Sequence, residues 1–256
     1  MIRSLYTSVS SLISLENRQS VITNNMANAN TTGFKSDNLS IKSFDEVYIQ
    51  NRDNANGKPE IIGSLSLGSE IDEVNTYFSQ GLLKQTSKPT DFAIEGRGFF
   101  VIQKATLNGV ENLYTRDGNF KIGTDGCLMT TSGDKVLGIN QNTGNVEPIF
   151  VGNSNFILDS NNTINIDGFA NYTLMTADFI DYDALTKVWD NCYKGENPIT
   201  NGSVWVNQGY TEGSNVSLTN EMVNMMTTMR NFETNQKMVQ IIDDTLSKAA
   251  NEIGKV

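Results

Sequence analysis

Hydrophobic residues recur at helical spacing at both ends of the chain and lose that period in between. Near the N-terminus, Leu5, Val9, Leu12, Leu15, Ile22 and Met26 follow one another at threes and fours, with Gln19 filling the gap. Side chains so spaced line one face of an α-helix. The spacing predicts a helix of about 27 residues, roughly 40 Å long. Near the C-terminus, Leu218, Met222, Met225, Met229, Phe232, Gln236, Val239, Ile242, Leu246, Ala249 and Ile253 alternate by four and three. This is a coiled-coil-like seam over about five heptads, a helix of roughly 38 residues. Ser214 or Asn215 is placed to cap its start and Gly254 to close its end. Five of the nine methionines fall between Met222 and Met238. Methionine fills irregular gaps, which suits packing against several neighbours.

The middle reads as β structure. Short apolar runs such as Phe92-Ala93-Ile94 and Phe99-Phe100-Val101-Ile102 stand between turn signals. Asp117-Gly118, Asp125-Gly126, Asp167-Gly168, Asn108-Gly109 and Asn201-Gly202 are hairpin dipeptides, and Gly96-Arg97-Gly98 reads as a turn. All four prolines and both tryptophans lie here, and no glycine occurs before Gly33 or between Gly213 and Gly254. Such repeated strands predict a sandwich or irregular barrel. The predicted fold class is therefore α+β: paired long terminal helices, coiled-coil-like, with an inserted, mostly antiparallel β domain. Residues 1–36 and 212–256 make a discontinuous helical axial domain. Residues 37–90 and 200–211 make an extended connector, and residues 91–199 a β-rich outer domain. The simplest burial for the two stripes is against each other. Two helices alone leave most of each surface wet, so further copies are needed to cover them.

Charge follows the same division. The net charge is −10, with +2 on residues 1–36, −2 on residues 212–256 and −10 on the residues between. Near-neutral ends tolerate crowding, while an acidic middle favours water and repels phosphate backbones, so nucleic acid is not an expected partner. No apolar run reaches the length of a membrane span, and the N-terminus lacks the apolar core of a secretory signal. The chain has no histidine, which removes Ser-His-Asp and Cys-His catalysis and His-based zinc sites. Cys127 and Cys192 read as two separate thiols. No catalytic, cofactor-binding or metal residue is expected.

The first helix ends in Asn24-Asn25-Met26-Ala27-Asn28-Ala29-Asn30-Thr31-Thr32-Gly33-Phe34-Lys35. Physically this is a helix stop: Asn and Thr side chains bond nearby backbone, Gly33 supplies a positive φ, and Phe34 re-anchors the chain. As a string it resembles the signature of flagellar rod and hook proteins, through Asn24, Asn25, Ala27, Asn28, Thr31, Gly33 and Phe34. Two more blocks agree. Gly81 to Thr86, Pro89 to Phe100 and Tyr114 to Phe120 resemble the family's central core. Gly209 to Val216, with Ser214, Asn215 and Val216, and then Arg230 to Lys237, resemble its C-terminal signature. The blocks run in order over nearly the whole chain, and the chain is identified as a member of the flagellar basal-body rod protein family of the FlgG and FlgF type.

The resemblance implies a structural subunit that stacks helically into a hollow, torque-transmitting shaft of the basal body. It implies export by the flagellar type III apparatus without a cleaved signal. Its implied partners are copies of itself and other rod and hook proteins, with no membrane insertion. A distal, FlgG-like place is the first expectation; a proximal FlgF-like protein or a short hook-type protein is the alternative. Outside the family, the rivals are a β-domain enzyme and an adhesin with coiled-coil oligomerisation helices. Residues 8–12 carry no glycine where relatives often have one, and cysteines are unusual in the family.

Overall fold

A computed structural model describes residues 2–51, 60–106, 109–152, 155–159, 161–166, 169–189, 191–200 and 204–253. The chain forms two compact units. One draws on Met1–Ala27, Asp37–Asn75 and Ser217–Val256, the other on Asn28–Ser36 and Thr76–Val216.

The first unit is built on helix α1 (Ile2–Ala27) and helix α2 (Leu218–Lys248), with a π-helical turn at Ala249–Ile253. The N-terminal helix matches its predicted span. The C-terminal one starts later than expected, with Ser217 in extended conformation at its N-cap and no side-chain cap hydrogen bond. Ser214 and Asn215 do not cap it, because both are occupied in the second unit. The expected closing residue, Gly254, lies outside the described residues. α1 and α2 pack on each other. Strand Asp37–Ser43 pairs with Ser69–Thr76, and Val47–Asn51 forms an antiparallel hairpin with Glu60–Leu65. The two side-chain atoms of Asn25 lock the exit from α1: its amide donates to Asp37 O at 2.8 Å, and its oxygen accepts from Asp37 N at 3.0 Å.

The second unit is mostly antiparallel β. Its main sheet has strand Phe99–Thr106 near the centre, between Lys135–Asn140 and Gly109–Thr115. Phe99, Phe100, Val101 and Ile102 are all buried, so the strand is covered on both faces. Phe100 and Ile102 join Phe92, Leu113, Phe120 and Ile149 in one core, while Phe99 and Val101 join Tyr114, Phe179 and Tyr193 in another. This is why the run is continuous in sequence and not alternating. The C-terminal end of the unit returns to its start: Trp205–Gln208 pairs with Phe92–Glu95, and Tyr210–Glu212 with Leu83–Gln85.

Two turn predictions came out differently. Asp125-Gly126 does turn the hairpin between Lys121–Ile122 and Leu128–Met129. Asp117-Gly118 makes no hairpin. The Asp117 carboxylate accepts from Asn119 N at 3.1 Å, and the chain passes so close to Phe92 O that a Cβ on Gly118 would overlap it. The glycine serves a close approach, not a tight turn. Asn108, the Asp167-Gly168 pair and the Asn201-Gly202 pair lie outside the described residues. Cys127 and Cys192 are not joined in a disulfide.

Candidate functional site

The three signature blocks are far apart in sequence, and their parts within residues 28–36, 81–120 and 209–216 meet inside the second unit. Asn28, Ala29 and Asn30 follow the end of α1, and Thr31 donates its hydroxyl to Asn28 Oδ1 at 3.1 Å. Gly33 then takes the expected positive φ, +67°, but in a turn closed by the Phe34 N–H donating to Thr31 O, six residues beyond the end of α1. Its N–H donates to Glu212 O at 2.8 Å. Phe34 is buried, and the Lys187 ammonium sits 4.6 Å from the centre of its ring. Asn215 closes the far side. Its Oδ1 accepts from Ser36 N at 2.8 Å, and its amide donates to Tyr77 O at 2.7 Å and to Ser79 Oγ at 3.0 Å.

At the centre of this junction lies a buried ionic cluster. Lys35 and Glu212 have fully buried side chains, and that of Arg116 is 3% exposed. Lys35 Nζ donates to Glu212 Oε1 at 2.7 Å and to Ser79 O at 2.7 Å. The same Oε1 accepts from Gly81 N at 2.8 Å. Arg116 donates to Glu212 Oε2 at 3.2 Å and to Gly96 O at 2.6 Å, and its guanidinium lies over the Phe99 ring. One carboxylate therefore gathers three distant stretches of chain. Burial pushes the Lys35 ammonium below its ordinary value, against the pull of Glu212, while Arg116 pushes it the same way as burial. Lys35, Arg116 and Glu212 lie within the signature blocks but are not among the site residues expected from the sequence. Their one signal was position, a charge set among the glycine, asparagine and threonine residues of each block.

Beside this cluster Asp117 accepts the Thr32 hydroxyl at 2.7 Å, and Asn191 donates its amide to Thr32 O at 3.2 Å. Burial raises the Asp117 carboxyl above 3.8, opposed by the Thr32 and Asn119 hydrogen bonds. A raised carboxyl costs stability at pH values above its folded value and costs nothing below its unfolded one. Asp117→Asn keeps an acceptor for Thr32 and removes that cost. The variant should therefore equal or exceed the parent in urea denaturation at pH 7, with the difference vanishing below about pH 3.8. A variant less stable than the parent at pH 7 would mean that the charge itself is needed.

The first unit presents the other set of expected residues. On α1, Leu15 and Ile22 are buried, Leu5, Leu12 and Met26 are half-buried, and Val9 is exposed. On α2, Met225, Phe232, Val239, Ile242 and Leu246 are half-buried. The residues that complete their face are Glu221, Thr228 and Asn235, not Leu218, Met222 and Met229, which are exposed. Thr228 is buried, and Asn235 donates to Ser11 Oγ at 3.0 Å. The face toward α1 is thus shifted by one residue from the apolar stripe over the first half of the helix. Leu218, Met222, Met226 and Met229 form a second row facing solvent, and Tyr6, Val9 and Ile13 do likewise on α1. Asn24 and Ala27 line an open groove on α1 with Phe232 at its edge. Val216 is half-buried. Among the described residues no helix is long and apolar enough to cross a membrane, and no group of three or more acidic or cysteine side chains is placed to hold a metal ion.

Three family models match the chain. Residues 5–35 match the flagella basal body rod protein model, and residues 93–175 match the D1 domain of flagellar hook proteins FlgE/F/G. Residues 207–252 match the C-terminal region of flagellar basal body rod FlgEFG proteins. Similar curated proteins cover the full length. The flagellar hook-basal body complex protein FlhO of Bacillus subtilis is 31% identical, with 100% of both chains aligned. The flagellar basal-body rod protein FlgG of the same organism is 30% identical over 98% of this chain and 99% of its own. The flagellar basal-body rod protein FlgF of Caulobacter vibrioides is 30% identical over 100% of both.

Proposed function

Because the chain belongs to the flagellar basal-body rod protein family, we propose that it is a distal, FlgG-like rod subunit whose copies join through their terminal helices into a torque-bearing shaft. It is a structural subunit of the basal-body rod. The joining of copies through the terminal helices rests on one observation, the second apolar row of α2. Leu218, Met222, Met226 and Met229 lie beside the face that α1 covers, and each is between 42% and 56% exposed. A helix apolar on two faces needs a second partner, and a further copy of the same chain supplies an equivalent helix. The four-three alternation of Met225, Thr228, Phe232, Asn235, Val239, Ile242 and Leu246 suits coiled-coil packing.

The partners proposed are copies of itself, neighbouring rod and hook proteins, and the export apparatus that delivers the chain. Sedimentation over a range of concentrations tests self-association: particle mass should climb steadily with concentration. A single discrete species up to the solubility limit would overturn the reading. The alternative proximal, FlgF-like place is favoured by the equal, full-length similarity to the Caulobacter protein. Imaging basal bodies from a strain lacking the gene separates the two. A rod that starts but stops short of the hook supports the distal place, and no rod at all supports the proximal one.

A further inference from the structure

The buried cluster has an unequal charge count, two cations around one anion. Among the described residues, Glu212 is the carboxylate within ion-pairing distance of either Lys35 or Arg116. Without it, two buried like charges would face each other with no counter-charge, which a low-dielectric interior does not tolerate. Glu212 also accepts the Gly81 N–H through its side chain and the Gly33 N–H through its backbone. In addition, its strand Tyr210–Glu212 pairs with Leu83–Gln85. The N-terminal piece of the unit, Asn28–Ser36, the strand region near residue 81 and the core loop at Arg116 are thus all tied to one late residue. Arg116 in turn leans on Phe99, at the start of the central strand.

We propose that Glu212 is the closing latch of the β unit, so that the unit cannot complete its core until residue 212 is available and loses its core when this contact opens. In chain order Glu212 comes after every other segment of the β unit that it ties together. During synthesis, or in any passage led by the N-terminus, the β unit stays open until Glu212 has emerged. For a subunit delivered as an extended chain, a step that rests on the rod reading above, the latch prevents early closure of the β unit. The coupling of one carboxylate to three distant stretches is itself independent of that reading.

Native-state hydrogen exchange on the full-length chain tests the latch. The Gly33 and Gly81 amides, which donate to Glu212, should exchange within about threefold of the slowest amides of Phe100 and Ile102, with the same denaturant dependence. If they exchange more than roughly tenfold faster while the central strand stays protected, the contact opens alone and the latch is refuted. Glu212→Gln in the full chain should speed exchange of the central strand by roughly 100-fold or more. Adding Lys35→Met to Glu212→Gln removes one unpaired cation and should recover at least about tenfold. A double variant no better than the single one would overturn the charge argument. If Glu212→Gln does not fold at all, the parent's exchange pattern and recovery of folding in the double variant still decide. Self-association is read separately by sedimentation, so failure of the rod reading and failure of the latch give different results.

Discussion

Gly33→Ala should destabilise the β unit by about 2–6 kcal/mol, enough to unfold a marginal domain. Two effects add. The residue has φ +67°, where a side chain is strained. A Cβ there would also lie 2.6 Å from Arg116 C and 2.7 Å from Asp117 Cα, and closer still to Asp117 N. These are backbone atoms next to the buried cluster and cannot rotate aside. Gly133 provides the control. It has φ +94°, but a Cβ would meet nothing within 4 Å. Gly133→Ala should therefore cost only the strain, about 1–3 kcal/mol. Urea denaturation followed through Trp189 and Trp205, both in this unit, compares the two. Equal losses would show that only the dihedral angle matters at Gly33.

Phe232→Asp should abolish self-association and leave the β unit's melt unchanged. Phe232 is half-buried on α2 and borders a groove formed by Glu16, Gln19, Ser20, Thr23, Asn24 and Ala27 of α1. An aspartate would lose the apolar contact and bring a second negative charge toward Glu16. Partly burying an unpaired charge costs several kcal/mol, a large share of what two paired helices gain. Amide protection should fall along both helices, and sedimentation should show one small species at every concentration. Assembly at the parent's concentration would remove Phe232 from the packing surface.

A fragment of residues 37–211, the acidic middle, omits both Lys35 and Glu212. It would bury Arg116 without its counter-charge and lack the strand end that pairs with Leu83. The charge boundaries and the packing boundaries differ, because the segment 28–36 and the segment 212–216 belong to the β unit. Net charge counts solvated and buried groups alike, and here the decisive charges are buried.

By itself the sequence determined both terminal helices, the β character of the middle, the positive φ at Gly33 and the family. Each follows from local rules. A three-four period makes a helical face, breakers interrupt it, and a positive φ selects glycine. Tertiary structure alone decided which side of α2 meets α1. There Thr228 and Asn235 displace Met229 and Gln236, because Asn235 finds Ser11 across the pair and small or polar groups allow close approach. It alone decided that Asp117-Gly118 lets Phe92 O approach and does not turn a hairpin. It alone decided that Lys35 and Glu212, 177 residues apart, share a proton-donating contact in the interior. A lone Lys or Glu in a sequence reads as solvated, since burying either is unfavourable without a partner. The partner here comes from the opposite end of the chain, where no local pattern can reveal it.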